Sequence, residues 1–158
     1  MAVKDINGNS VDFMKFIEGK NCVLVIYPKM GESGKFLPQE LKQTKGLTGC
    51  TNQCKAYETN LSEVNKFGFE VIAIGALSVE KTKEFKEVLG VNFSFFSDEN
   101  FELAEKLNLQ TFSTGDGKKF YHRQTLIIKD GEILKRFDRI ENPEEDVKNV
   151  LEFIGKIS

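Results

Sequence analysis

Residues 22–27 read Cys-Val-Leu-Val-Ile-Tyr. A continuous apolar run of this length, rich in β-branched residues, predicts a strand covered on both faces, as at the centre of an α/β sheet. Residues 69–75, Phe-Glu-Val-Ile-Ala-Ile-Gly, repeat the pattern and predict a second core strand. Between the two runs, residues 29–49 are polar and contain glycine. A connection of that length points to a functional or adaptable segment. A helix is then expected from about residue 50 to residue 66, stopped by Gly68. Its inward stripe, at spacings of three and four, is Cys50, Cys54, Tyr57, Leu61 and Val64.

Further elements follow on either side. Asn7-Gly8 marks a turn between two short strands at the start of the chain. Asp12 is placed to cap a short helix carrying Phe13, Phe16 and Ile17, ended by Gly19. Residues 79–89 predict an amphipathic helix with Phe85, Val88 and Leu89 inward. Residues 92–96 predict a short strand. Residues 101–107 predict a helix using Leu103, Ala104 and Leu107. Segments 124–128 and 133–137 flank a turn at Asp130-Gly131 and predict a hairpin. Asn142-Pro143 opens a last helix with Val147, Val150, Leu151 and Ile154 inward. Strand and helix alternate, and a hairpin and a helix close the chain. That order predicts one α/β domain over residues 1–158, with a thioredoxin-like central mixed sheet flanked by helices.

Composition narrows the function. With 40% hydrophobic and 29% charged residues in 158, the chain has the make-up of an ordinary globular domain. A net charge of −2 offers no broad field for nucleic acid or an anionic membrane, and neither partner is expected. No apolar run approaches the roughly 20 residues that span a bilayer, and the N-terminus lacks the apolar stretch of a secretory signal. Three cysteines are too few for a disulfide scaffold. A reducing cytoplasm is therefore expected, where a close cysteine pair points to catalysis or metal binding.

Residues 46–54, Gly-Leu-Thr-Gly-Cys-Thr-Asn-Gln-Cys, hold that pair. At a helix N-terminus, Cys50 meets unpaired N–H groups and a partial positive charge, both of which favour thiolate, the nucleophilic form. Cys54 lies one turn along the same face. It could condense with a Cys50 sulfenic acid, or both thiols could be small core residues. A relaxed bridge across one helical turn is poorly oriented, so the first turn should unwind on oxidation. Cys22 reads as core filler and His122 as a strand-end residue. Arg123 is either a solvated charge or a cation projecting over the sheet end toward Cys50.

Taken together, Tyr27-Pro28-Lys29, Thr48-Gly49-Cys50-Thr51, Glu70 to Gly75, Ser78-Val79-Glu80, Phe96-Ser97-Asp98 and Arg123-Gln124-Thr125 resemble the peroxiredoxins of the bacterioferritin comigratory protein type. The resemblance runs from about residue 5 to residue 155. It implies reduction of hydrogen peroxide and organic hydroperoxides without a cofactor or metal. Under it, Cys50 corresponds to the peroxidatic cysteine and Cys54 to the resolving one. Arg123 corresponds to the arginine that holds the thiolate and Thr48 to the threonine that hydrogen-bonds the peroxide. Pro28, Gly49 and Thr51 line the substrate pocket. It also implies thioredoxin or a similar dithiol as reductant, with the protein a monomer or weak dimer.

The chain departs from that pattern at three points. Thr48 stands two residues before Cys50 rather than three. Pro28 stands 22 before it rather than seven, so residues 30–46 read as an insertion. Three residues rather than four separate Cys50 from Cys54. The chain also begins at what resembles the family's second N-terminal strand, so an edge strand is expected to be missing.

The competing reading is a Sco-type copper protein using Cys50, Cys54 and His122, since two thiolates and an imidazole suit copper. Against it stand the Tyr-Pro-Lys and Arg123 matches and the lack of an apolar anchor. A general thiol–disulfide oxidoreductase would use two intervening residues rather than three. A structural zinc site would want a fourth ligand.

Overall fold

The computed structural model describes residues 3–28, 50–138 and 140–157. In chain order its elements are β1 (Val3–Asp5), β2 (Ser10–Val11), α1 (Phe13–Phe16), β3 (Cys22–Ile26), α2 (Cys50–Thr59), α3 (Leu61–Lys66) and β4 (Glu70–Gly75). These are followed by α4 (Val79–Leu89), β5 (Ser94–Ser97), α5 (Glu102–Lys106), β6 (Thr111–Ser113), β7 (Lys119–Tyr121), β8 (Gln124–Lys129) and β9 (Glu132–Phe137). A 3-10 turn, Pro143–Glu145, leads into α6 (Asp146–Ile157).

The two apolar runs lie side by side at the centre. β3 pairs in parallel with β4, from Cys22↔Glu70 to Ile26↔Ile74, and antiparallel with β8 on its other edge. The seven strands run in the order β2-β1-β5-β4-β3-β8-β9. Alternation along β3 divides the interior. Val23 and Val25 face a core built with Cys54, Tyr57, Val64, Phe85, Val147 and Ile154. Cys22, Leu24 and Ile26 face a second core containing Phe13, Ile17, Leu103 and Leu107. Each face of the sheet is thus covered, which is why all five residues of β3 are buried. This is the expected thioredoxin-like mixed sheet with helices on both sides.

Most elements fall where the residue pattern puts them. The Asp12 carboxylate accepts from Lys15 N–H and caps α1. Asp130 (φ 52°) and Gly131 (φ 81°) form the turn between β8 and β9, as a two-residue hairpin requires. Two expectations are corrected. The helix predicted over 50–66 is two helices, because Asn60 leaves helical geometry (φ −105°, ψ 11°) and its side-chain amide donates to the Ala56 carbonyl at 2.8 Å. Val88 does not point inward but is 79% exposed. The buried stripe of α4 is Thr82 and Phe85, with Leu89 half-buried, and Val88 lies to the other side of Phe85. The short hairpin of β6 and β7, paired from Thr111↔Tyr121 to Ser113↔Lys119, has no counterpart in the sequence reading.

Candidate active site

Cys50 is the first residue of α2 and is 6% exposed. Its partner comes from the sheet. β8 meets β3 at Ile26↔Gln124, so one residue further Arg123 stands level with Tyr27, just past the carboxyl end of the central strand. Arg123 is 1% exposed. Its Nη2 donates to Cys50 Sγ at 3.3 Å, and its Nη1 donates to Gln53 Oε1. Of the two readings open for this arginine, the structure takes the one toward Cys50.

A buried guanidinium is costly unless its donors are satisfied and its charge is compensated. Gln53 lies three residues after Cys50, on the same side of α2, and is fully buried. While its oxygen accepts from Arg123, its Nε2 donates to Asp146 Oδ2 at 3.1 Å. The same carboxylate oxygen accepts from Thr125 Oγ1 at 2.7 Å and from Tyr57 OH at 2.5 Å. Asp146 therefore fixes the orientation of the Gln53 amide, so that the amide oxygen and not its NH2 meets Arg123. Burial pushes the Asp146 carboxyl above the usual carboxylate range, against the pull of the Tyr57, Thr125 and Gln53 donors and the Arg123 charge. Burial, then the Asp146 charge, raises the Tyr57 hydroxyl. On the surface, Asn52 Nδ2 donates to Glu144 Oε1 at 2.9 Å and ties the first turn of α2 to the 3-10 turn before α6.

Cys54, one turn beyond Cys50, is fully buried in the same apolar cluster, together with Tyr27 and Tyr57. None of the three cysteines is joined in a disulfide. Pro28 is buried and Thr51 half-buried at the helix start. Thr48 and Gly49 lie outside the described residues, as does the 30–46 segment. His122 packs its ring on Phe112 with centroids 4.8 Å apart. No three His, Cys, Asp or Glu side chains among the described residues are grouped to hold a metal ion, so Cys50, Cys54 and His122 do not form the ligand set the copper reading needs.

Gln53, Thr125 and Asp146 were not singled out from the sequence. Two signals were there. Gln53 sits at the three-residue spacing from Cys50. Stepping back four from Val150, on the inward stripe of α6, lands on Asp146, an acidic residue on a buried face.

A family model described as Redoxin matches residues 2–153. Peroxiredoxin Bcp of Escherichia coli strain K12 is 28% identical over 141 residues, covering 87% of this chain and 80% of that protein. A putative peroxiredoxin bcp of Haemophilus influenzae is 29% identical over 127 residues, covering 78% and 72%. Among solved structures, peroxidoxin BcpB of Mycobacterium tuberculosis superposes with a TM-score of 0.77 at 18% identity, covering 100% of this chain and 93% of that one. The bacterioferritin comigratory protein of Xanthomonas campestris, characterised for alkyl peroxide reduction, gives 0.76 at 16% identity, covering 99% and 91%. These structural likenesses carry the fold.

Proposed function

We propose, for a chain that belongs to the Redoxin family and within it to the peroxiredoxins of the bacterioferritin comigratory protein type, that its thiol-dependent reduction of peroxides runs through Cys50. The observation that carries this assignment is the 3.3 Å contact from Arg123 Nη2 to Cys50 Sγ at the first residue of α2. The guanidinium and the unpaired N–H groups of the helix start stabilise negative charge at the sulfur. They then stabilise the charge that develops on the leaving oxygen.

The Cys50 thiolate attacks one peroxide oxygen in line. An S–O bond forms, the O–O bond breaks, and the leaving oxygen takes a proton as water or an alcohol. Cys54, as thiolate, then attacks the Cys50 sulfur; the S–S bond forms and hydroxide departs, to be protonated to water. Because the two cysteines share one helical turn, the start of α2 unwinds in this step. Gln53 must then leave Arg123 and Asp146. A dithiol of the thioredoxin type returns both thiols by exchange. Pro28, Thr48, Gly49 and Thr51 belong to the peroxide pocket in this reading, and both hydrogen peroxide and alkyl hydroperoxides are substrates. The chain works as one domain, as a monomer or weak dimer, in a reducing cytoplasm. Among the described residues no helix is long and apolar enough to cross a membrane.

The test is rapid mixing of reduced, metal-free protein with hydrogen peroxide, read by intact mass. The wild type should consume peroxide orders of magnitude faster than a simple thiol and end with a Cys50–Cys54 disulfide. Cys50→Ser should abolish turnover. Cys54→Ser should keep the first oxidation and stall recycling, and normal thioredoxin-driven turnover in that variant would remove Cys54 from its role.

A further inference from the structure

Tyr27 follows β3 directly and is fully buried, yet its hydroxyl has no hydrogen-bond partner among the described residues. Such groups are rare in folded proteins and call for an explanation. The ring cannot swing away to find one. It lies over Gly75 so closely that a Cβ there would stand 2.4 Å from Cε2 and 2.9 Å from the hydroxyl oxygen. Phe85 and Phe95 also pack against it, with ring centroids at 5.5 and 6.2 Å. The same apolar cluster contains Cys50 and Cys54. Burial first, then the charge of Cys54 and after it that of Cys50, keeps the proton on Tyr27. The group is therefore a donor in waiting within the apolar cluster that holds both sulfurs, and Cys50 Sγ in that cluster accepts from Arg123.

Resting on the peroxidase reading above, we infer that Tyr27 is the positioning residue of the resolving step, its hydroxyl donating to the Cys54 thiolate. A thiolate inside an apolar cluster needs such a donor. In the step, Cys54 loses its thiol proton and its thiolate attacks the Cys50 sulfur. The S–S bond forms, the S–O bond breaks, and hydroxide leaves and is protonated to water. Tyr27 keeps its own proton throughout. Arg123 stabilises charge at Cys50 and Tyr27 at Cys54, so the two chemical steps have separate donors.

The experiment is Tyr27→Phe, which keeps the ring and removes only the hydroxyl. Rapid mixing with hydrogen peroxide separates the peroxide-dependent formation of the Cys50 sulfenic acid from the peroxide-independent closure of the disulfide. Sulfenic acid formation should stay within about twofold of wild type, while closure should slow by about tenfold or more, as loss of a hydrogen bond to a charged group implies. The longer-lived sulfenic acid should also give more Cys50 sulfinic acid at equal peroxide. The thermal midpoint should rise, because an unsatisfied buried group is gone. A structural role alone would not separate the two rates. Closure at the wild-type rate would overturn the inference, and so would an equal fall in both rates, which would assign the hydroxyl to Cys50. Failure of the underlying reading looks different: the wild type itself would form no Cys50–Cys54 disulfide, and both proposals would fall together.

Discussion

Cys22 and Cys50 stand near opposite ends of β3, and both are nearly sealed from water, at 0% and 6% exposure. They differ in what surrounds the sulfur. Cys22 opens the strand among apolar side chains. Burial, with the Glu70 charge adding to it and Lys20 opposing, pushes its thiol up to about 12. Cys50 begins a helix and accepts from a guanidinium. Burial alone keeps a thiol protonated and inert, whereas burial together with a preorganised cationic donor makes a protected nucleophile. The cost of that donor is visible in the chain of buried polar groups behind it, from Arg123 through Gln53 to Asp146, with Tyr57 and Thr125 closing the far end.

The sharpest way to break this contrast is to make the surroundings of Cys50 resemble those of Cys22. Arg123→Ala does so. Peroxide-dependent oxidation of Cys50 should fall by about two to three orders of magnitude, the range for loss of a preorganised charge stabiliser. Arg123→Lys should recover little, since a lysine offers a point charge and not a fork that reaches both Cys50 and Gln53. Stopped-flow measurement of the second-order rate decides it. An unchanged rate in Arg123→Ala would mean that the helix start alone separates Cys50 from Cys22.

A smaller effect is expected one step back in the network. Asp146→Ala leaves the hydroxyls of Tyr57 and Thr125 and the Gln53 amide without their acceptor, which costs about 1–3 kcal/mol of stability for a buried group. It also frees the Gln53 amide to turn its NH2 toward Arg123. The peroxide step should slow by about five- to tenfold, the size of one hydrogen bond. Asp146→Asn, which keeps an acceptor oxygen, should restore most of the rate. If stability falls and the rate does not, the guanidinium is held without Asp146, and the network supports the fold alone.

The contrast also marks what a sequence can carry. The apolar runs of β3 and β4, the Asp12 cap and the Asp130-Gly131 turn are local signals, and each was readable because a few neighbouring residues determine the outcome. The inward stripe from Cys50 to Val64 was readable for the same reason. Asn60 was not. A competing side-chain bond to Ala56 splits a helix whose periodicity continues across the break. Val88 was misplaced because α4 buries a narrow stripe in which Thr82 takes a core position. The hairpin of β6 and β7 lacks the tight turn that advertises such a pair, since Thr114 to Lys118 separate its strands. Gln53 and Asp146 were missed because polar residues on a helix read as solvent-facing. Their burial is dictated by Arg123, which is 70 residues from Gln53 in sequence and reaches it only through the β3–β8 register. The Tyr27 hydroxyl carries no sequence signal, because it is defined by the lack of a partner among the described residues.

The smallest effect is expected at Cys22 itself, and it is a test of the silent half of the comparison. Cys22→Ala should leave peroxidase activity at neutral pH unchanged, and Cys22 in the folded wild type should resist alkylation while Cys50 reacts. Its contribution appears in stability at high pH. The thiol is raised from an ordinary 9.0 to about 12 in the folded protein, so the folded state holds its proton where the unfolded chain has lost it. The stability this provides is fully present below about pH 9 and is lost as pH rises from 9 toward 12, by about 1.4 kcal/mol per pH unit. Cys22→Ala lacks that slope. The gap between wild type and variant, measured by urea unfolding, should therefore be constant from pH 7 to about 8.5 and then narrow at the stated rate. A gap that stays constant to pH 10 would mean that Cys22 ionises as easily inside the fold as outside it. In that case burial would not be what silences it, and the difference between the two thiols would have to be sought in access to peroxide instead of in charge.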